Sequence, residues 1–307
     1  MAAERSPVAD GDEYVTTSDG TRLAVYRHGP TDAPVTVVLA HGWTLDSRTW
    51  EPVVARLLAG PQAVGVVCYD HRGHGRSDDA GDGSATMARL GDDLAELLAH
   101  TVEGPVVLAG HSMGGMAMMA LAERHPELVA RRVVGAAFVA TSCGDLAVTL
   151  GLRPLVARLV AGAESAVLRR VASSDRLRAR RAVVRRGRSI RPGVRWLLFG
   201  GYAARADIDL TAQCIAECRP ATVVDFRPAL TEHDRRAALT AFAVIPTVVL
   251  GGARDRLIPA SHSRTIAAEL ADARLVVYAD AGHMVPLERA DQVAVHLTEL
   301  VGARPQS

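Results

Sequence analysis

The ten residues 106–115, VVLAGHSMGG, decide the fold of this chain. The first four are all apolar, as expected of a strand buried on both faces, and the residues that follow have the apolar spacing of a helix. Between them, Gly110, Ser112 and Gly114 match the pattern G-x-S-x-G, in which a sharp turn exposes the serine side chain. A phosphate-binding loop is the alternative, but its lysine is missing and the spacing differs. We therefore predict that Ser112 is a nucleophile at a strand-to-helix turn.

Short apolar runs typical of strands recur on both sides of this stretch, and amphipathic runs typical of helices lie between them. The predicted strands are residues 35–39, 64–69, 106–109, 133–139, 247–250 and 275–278, and the predicted helices are residues 50–59, 84–100, 115–125, 260–271 and 288–301. A hairpin is predicted before them at residues 14–29, joined by the two-residue turn Asp19-Gly20. This order predicts the α/β class, with a mostly parallel eight-stranded sheet flanked by helices.

The alternation of strands and helices stops between residues 142 and 242. The segment is helical in pattern, and the prolines predicted to break it are Pro154, Pro192, Pro220 and Pro228. We predict that residues 142–242 form a helical cap, or lid, inserted into an α/β core domain of residues 14–141 and 243–307. Residues 1–13 are polar and are predicted to form a flexible N-terminus.

Composition argues against several classes of function. The chain has 307 residues, 49% of them hydrophobic, and a net charge of +1, so no overall positive field points to nucleic acid. The N-terminus lacks the apolar stretch of a signal peptide, and no run reaches the ~18 apolar residues that cross a bilayer. We expect a cytoplasmic protein without a transmembrane segment.

The four cysteines, Cys68, Cys143, Cys214 and Cys218, show no paired spacing typical of disulfides. Cys214 and Cys218 would share one helix face, where they either hold a metal ion or pack as two small buried residues. We favour packing, and we predict neither a metal nor another cofactor.

Two later motifs supply the partners that a serine nucleophile needs. His283 follows the strand predicted at 275–278 and is the candidate base for the Ser112 hydroxyl. Asp255 follows the strand predicted at 247–250 and would fix the imidazole tautomer. Asp145 is a rival acid, although capping a helix is its simpler interpretation. The chain order Ser112, Asp255, His283 is the one expected for such a fold.

A developing oxyanion requires two N–H donors. The backbone amide of Met113 lies at the positive end of the predicted helix, and the amide of Trp43 follows the strand predicted at 35–39. We predict these two amides as the oxyanion hole. The residues predicted to contact substrate are His41, Gly42, Trp43 and His111, with core packing as the alternative for the Trp43 ring.

Together with the run Asp70-His71-Arg72-Gly73-His74-Gly75-Arg76-Ser77, these motifs resemble the α/β-hydrolase superfamily from about Tyr14 onward, in its branch of esterases and lipases. The resemblance implies that Asp70 and Arg72 bond the loop around the oxyanion turn. It also implies hydrolysis of a carboxylic ester or thioester with a hydrophobic acyl group, through an acyl-enzyme. A serine nucleophile argues against epoxide hydrolases and dehalogenases, which use aspartate.

Three other uses of the same residues remain open. One is a cofactor-free perhydrolase, similar to haloperoxidases, and another is a biosynthetic lyase or cyclase. The third is a hydrolase-like protein that binds a ligand without cleaving it. The fold identifies a mechanism and leaves the substrate undetermined.

Residues 153–195 contain 13 arginines against only Glu164 and Asp175. Such a cap would attract an anionic substrate or an acidic carrier protein. A helical face solvated by arginine is the simpler interpretation, because the aliphatic stems cover apolar surface. A basic amphipathic helix lying on anionic lipid is the third.

Overall fold

The computed structural model describes residues 13–146, 176–201 and 203–303. Its centre is a single sheet of eight strands. The strands are β1 (Glu13–Thr16), β2 (Arg22–His28), β3 (Thr36–Ala40), β4 (Gly65–Tyr69), β5 (Val106–His111), β6 (Val133–Val139), β7 (Thr247–Gly252) and β8 (Arg274–Tyr278), in the spatial order β1-β2-β4-β3-β5-β6-β7-β8. β2 pairs antiparallel with β1 and β4, and β3 to β8 run parallel. The predicted α/β class and mostly parallel sheet are confirmed.

Helices cover both faces of the sheet. They are α1 (Glu51–Leu58), α2 (Met87–Thr101), α3 (Met113–Arg124), α4 (Pro126–Arg132), α5 (Arg176–Leu198), α6 (Arg205–Glu217), α7 (Pro220–Thr231), α8 (Ala260–Glu269), α9 (Val285–Glu288) and α10 (Ala290–Gly302), with 3-10 helices at Ser47–Trp50 and Arg236–Phe242. α2 and α3 pack together on one face, and α1 packs with α10 on the other. Each face of the sheet therefore has its own buried apolar cluster. The apolar pattern did not predict α4.

The hairpin of β1 and β2 is wider than predicted. The N–H of Thr17 donates to the carbonyl of Thr21 at 2.9 Å, so the prediction of a two-residue turn at Asp19-Gly20 is wrong. Gly20, at φ 86°, adopts the left-handed conformation that glycine favours. The Asp19 side chain of this loop forms an ion pair with Arg72 at 2.8 Å.

The chain between β6 and β7, which we call the β6–β7 segment, contains α5, α6 and α7. Residues 147–175 of this segment lie outside the described residues, with Pro154 and the arginines before 176. Pro192 and Pro228 lie inside α5 and α7, so the prediction that they break these helices is wrong. Buried residues on these helices hold them in place despite the lost hydrogen bond. Pro220 begins α7, where its missing N–H has no partner to lose.

Two apolar clusters attach the β6–β7 segment to the sheet. The first joins α5 and α6 to the loops after β3 and β8, and the second joins α7 to α2 and α3. No described helix is long and apolar enough to cross a membrane.

Candidate active site

Ser112 occupies the single residue between β5 and α3, with φ 53° and ψ −118°. Residues other than glycine rarely adopt this backbone conformation, and the strained turn persists only because neighbouring groups hold it. The Ser112 N–H donates to Val139 O at 2.9 Å, and the Thr141 hydroxyl donates to Ser112 O at 2.6 Å. Both partners come from the end of β6 and the residues after it. No local motif pointed to Thr141.

The glycines of the motif are required by close backbone approach. A Cβ at Gly114 would collide with the carbonyl oxygen of Ala40 in β3, and one at Gly110 would collide with the backbone nitrogen of Gly115. Because these contacts are with backbone, no side-chain rotation can relieve them. The two glycines therefore allow α3 to begin directly against the sheet.

His283 and Asp255 form a buried pair at the carboxyl ends of β8 and β7. Nδ1 of His283 lies 2.7 Å from Oδ2 of Asp255, and their side chains are 3% and 1% exposed. Oδ1 of Asp255 accepts the backbone N–H groups of Leu257 and Ile258, both at 2.8 Å. With both carboxylate oxygens occupied, Asp255 holds the imidazole in one orientation and leaves its Nε2 available.

Asp145 lies apart from this pair. It is 75% exposed and forms an ion pair with Arg236 at 3.1 Å. The residues after Leu146, where the helix that Asp145 would cap is predicted, lie outside the described part of the chain. The acid in contact with His283 is Asp255.

The loop carrying His283 is held by residues that no motif indicated. The N–H groups of His283 and Met284 both donate to Leu198 O, at the end of α5, at 2.7 and 3.1 Å. Glu288 accepts the N–H of Gly282 and of Gly200, each at 2.8 Å, and burial raises the pKa of its carboxyl. The end of α5 and the histidine loop are thus fastened together.

The two predicted oxyanion donors lie at the ends of neighbouring strands. Met113 is the first residue of α3, so its N–H has no helical acceptor. No described residue accepts a hydrogen bond from the N–H of Trp43 either. The chain turns sharply after Trp43, since Thr44 has φ 63°. The Trp43 ring borders the same cavity as Ser112, whereas Trp50 is fully buried in the core.

Four buried histidines pack behind the Ser112 turn: His41, His71, His74 and His111. Nε2 of His41 accepts the His71 N–H at 2.9 Å, and Nε2 of His111 donates to His283 O at 2.9 Å. Burial lowers the pKa of all four, that of His74 to about 3, so the imidazoles are neutral.

His41, Gly42 and His111 are not among the described residues that line the cavity. Their contacts are with the surrounding framework: Nδ1 of His41 lies 2.8 Å from Gly42 O, and His111 supports the His283 loop. The contacts found for His41 and His111 are with the turn after β3 and with the loop that carries His283, and their contact with substrate stays a prediction.

Asp70 and Arg72 have separate roles. Asp70 accepts hydrogen bonds from the Ser47 N–H at 2.8 Å and the Tyr26 hydroxyl at 2.9 Å, beside the loop after β3. Arg72 instead forms a fully buried bidentate pair with Asp93 of α2, at 2.6 and 2.7 Å. The implied role of Arg72 at the oxyanion turn is wrong, because its guanidinium points towards α2 and the hairpin.

Cys214 of α6 and Cys218, which follows it, are both buried. Burial raises the pKa of both thiols, that of Cys218 to about 12, so neither is a thiolate at neutral pH. Within the described part of the chain, no group of three or more His, Cys, Asp or Glu side chains is placed to hold a metal ion.

A cavity of about 140 Å³ lies in front of Ser112, with His283 in its wall. Its other described lining residues are mainly apolar and come from the loops after β3 and β7, from α3 and from the β6–β7 segment: Trp43, Thr44, Leu45, Met116, Leu146, Arg186, Ile190, Gly193, Val194, Leu197, Leu198, Ile215, Pro220, Val223, Leu230, Leu257, Ile258 and Met284. This space suits an apolar group next to the serine.

Residues 37–296 match the model of the Alpha/beta hydrolase family. Because the match covers most of the chain, the protein belongs to this family, as its motifs predicted. The family and the relatives below indicate a hydrolase.

Two curated relatives illustrate the range of activities among similar chains. A pimeloyl-(acyl-carrier protein) methyl ester esterase of Aromatoleum aromaticum is 29% identical over 274 residues, covering 86% of this chain and 97% of that protein. A bifunctional esterase/perhydrolase of Acinetobacter calcoaceticus is 37% identical over 113 residues, which are 37% of this chain and only 40% of that protein.

Solved structures show the same fold. An esterase from Exiguobacterium antarcticum has a TM-score of 0.74 at 19% identity, covering 94% of this chain and 99% of its own. The enol-lactonase from Burkholderia xenovorans has a TM-score of 0.72 at 23% identity, covering 95% of this chain and 100% of its own. At these identities the likeness concerns the fold alone.

Proposed function

We propose that the protein hydrolyses carboxylic esters or thioesters through an acyl-enzyme on Ser112. The observation that carries the proposal is the 2.7 Å contact between His283 Nδ1 and Asp255 Oδ2, in the wall of the cavity that Ser112 also borders. The contact leaves Nε2 of His283 free to accept a proton. Membership of a hydrolase family and the presence of esterases among the relatives support the same reaction.

In the proposed reaction, Ser112 Oγ attacks the carbonyl carbon while His283 accepts the hydroxyl proton. The backbone N–H groups of Trp43 and Met113 donate to the oxyanion. His283 then gives the proton to the leaving alcohol or thiol, and the acyl group stays on Ser112. Water attacks this acyl-enzyme with His283 again as base. Asp255 stabilises the imidazolium in both steps.

We further propose that residues 142–242 act as a cap over the core domain of residues 14–141 and 243–307. Its helices supply much of the cavity lining, including Ile190 and Val194 of α5 and Val223 of α7. Transfer of an apolar chain from water to such a lining is favourable by about 0.8 kcal/mol per buried CH₂. The proposed substrate therefore carries a hydrophobic acyl group.

Perhydrolysis is the second candidate, because one relative is named an esterase/perhydrolase. Peroxide would replace water as the group that attacks the acyl-enzyme. Incubation with acetate, hydrogen peroxide and bromide tests this reaction. Oxidised bromide above the level of the Ser112→Ala variant supports perhydrolysis, and ester turnover without it leaves hydrolysis alone.

Fluorophosphonate labelling followed by mass spectrometry tests the main proposal. We expect one covalent adduct on Ser112, absent in Ser112→Ala, and loss of p-nitrophenyl ester hydrolysis in that variant. Asp255→Asn should lower kcat by about 10³- to 10⁴-fold, because asparagine does not hold the required tautomer. Asp280→Asn is the matched control, since Asp280 is 51% exposed and pairs with Arg289. Ester turnover by a folded Ser112→Ala variant at the wild-type rate would refute the proposal.

A further inference from the structure

One charged side chain lies among the described residues that line the Ser112 cavity. It is Arg186 of α5, and the cavity's other described lining residues are uncharged types, with the proposed catalytic His283 among them as the one imidazole. A guanidinium next to apolar surface loses hydration, and an anion restores the lost interaction. The apolar lining around Arg186 therefore favours an anionic ligand at its guanidinium.

No partner within the described part of the chain satisfies Arg186. Its Nε is buried and donates no hydrogen bond, and no described carboxylate forms an ion pair with it. Its neighbours on α5 differ. Arg191 pairs with Asp209 at 2.6 Å, and Arg195 donates to Gly200 O at 2.6 Å. Arg191 thus links α5 to α6 and Arg195 binds the turn after α5, whereas no residue of the described ranges accepts a hydrogen bond from Arg186 Nε.

The position of Arg186 along α5 sets its distance from the end of the helix that holds the His283 loop. Arg186, Ile190, Val194 and Leu197 all line the cavity and recur at helical spacing, so one face of α5 forms a wall of it. At the end of the same helix, Leu198 O holds the N–H of His283 at 2.7 Å. Twelve residues separate Arg186 from Leu198, a distance of about 18 Å along a helix. The arginine and the candidate base thus lie at opposite ends of this wall.

We propose that Arg186 binds a carboxylate at the far end of the acyl chain, so that the protein prefers monoesters of linear dicarboxylic acids. This inference rests on the proposed ester hydrolysis at Ser112. The apolar wall of α5 would contact the methylene chain, and the planar guanidinium would form charge-assisted hydrogen bonds to the terminal carboxylate. A chain too short to span the wall cannot use Arg186.

The experiment compares two p-nitrophenyl ester series of equal carbon number, one ending in a carboxylate and one in a methyl group. At each chain length, the measured quantity is the kcat/KM of the carboxylate-terminated ester divided by the kcat/KM of the methyl-terminated ester. We expect this ratio to rise with chain length in the wild type and to fall about tenfold or more in Arg186→Gln. Arg186→Lys should restore part of the preference. Arg188→Gln is the matched control, since Arg188 is exposed on the same helix and does not line the cavity.

An unchanged ratio in a folded Arg186→Gln variant, or a loss that is equal for both series, overturns the inference and leaves ester hydrolysis standing. If the wild type hydrolyses neither series, the proposed function fails instead. Calorimetric titration with the free dicarboxylic acid then tests whether Arg186 binds a carboxylate. Binding that Arg186→Gln weakens about tenfold supports the anion site, and equal or absent binding in the two proteins overturns it.

Discussion

The two sides of Ser112 are built in different ways. Behind it, Gly114 lies against Ala40 of β3, which leaves no room for an added methyl group, and the neighbouring His111 imidazole is fully buried. In front of it, apolar side chains of the β6–β7 segment surround an open cavity. We therefore propose that the framework behind Ser112 serves the reaction chemistry, while the wall in front of it serves the choice of substrate. Changes behind Ser112 should therefore affect every substrate, and changes in front should affect some.

Gly114→Ala should produce the largest effect. Its new Cβ would meet the carbonyl of Ala40, so α3 must move away from β3 and the turn must change. We expect a loss of about 1–3 kcal/mol of unfolding free energy in urea, with ester hydrolysis lost on every substrate. Gly104→Ala is the control, because the nearest atom to its Cβ is 3.9 Å away. Full activity and stability in Gly114→Ala would contradict the close packing of the framework.

The second prediction concerns pH and the framework. Burial lowers the pKa of His74 to about 3 from an ordinary value of 6.5, so the unfolded chain takes up this proton first as pH falls. Stability from neutral His74 is complete above pH 6.5 and is lost as pH falls from there towards 3. His74→Gln should therefore reduce the slope of unfolding free energy against pH by about 1.4 kcal/mol per unit between pH 6 and 4.

Urea unfolding at several pH values measures this slope without depending on the absolute stability of the variant. His100→Gln, which removes an exposed histidine from α2, should leave the slope unchanged. Equal slopes for the wild type and His74→Gln would show that His74 takes up a proton in the folded protein as readily as in the unfolded chain.

The smallest effect is expected from a substitution in the wall of the cavity in front of Ser112. Val223→Phe fills part of the cavity, so hydrolysis of long-chain p-nitrophenyl esters should fall about fivefold while that of acetate changes little. Val224→Phe is the matched control, since the neighbouring Val224 is 53% exposed and does not line the cavity. A uniform loss on all chain lengths would mean that the wall also supports the framework.

Much of the fold could be predicted because buried parallel strands are nearly continuous apolar runs, as in β5 and β7, whose residues are all buried. The errors involve contacts between segments that are distant in sequence. The prolines of α5 and α7 lie inside helices that buried neighbours hold, so tertiary packing overrides their effect. In the wider turn at Asp19-Gly20, the Asp19 carboxylate pairs with Arg72, which is remote in sequence.

In the candidate site, Ser112, Asp255 and His283 follow β5, β7 and β8, and their catalytic roles stay predictions for the experiments above. Leu198 O could not be predicted, because a backbone carbonyl has no sequence signal. Glu288 contacts Gly200 and Thr141 contacts Ser112, and periodicity does not reveal contacts between residues so far apart in the chain. His41 and His111, for which substrate contact is predicted, are fully buried and are not among the described residues that line the cavity, so this contact also stays a prediction.

By itself, the sequence determined the sheet, its helices and the residues gathered at the carboxyl ends of the strands, because local turn geometry and apolar periodicity are properties of neighbouring residues. The tertiary structure alone decided which acid contacts His283, how α5 fastens the histidine loop, and which arginine of the described residues borders the cavity. The physical reason is that contacts between distant segments depend on packing in three dimensions. The serine turn is local and could be predicted from ten residues. The wall in front of it forms only when the helices of the β6–β7 segment fold over the sheet.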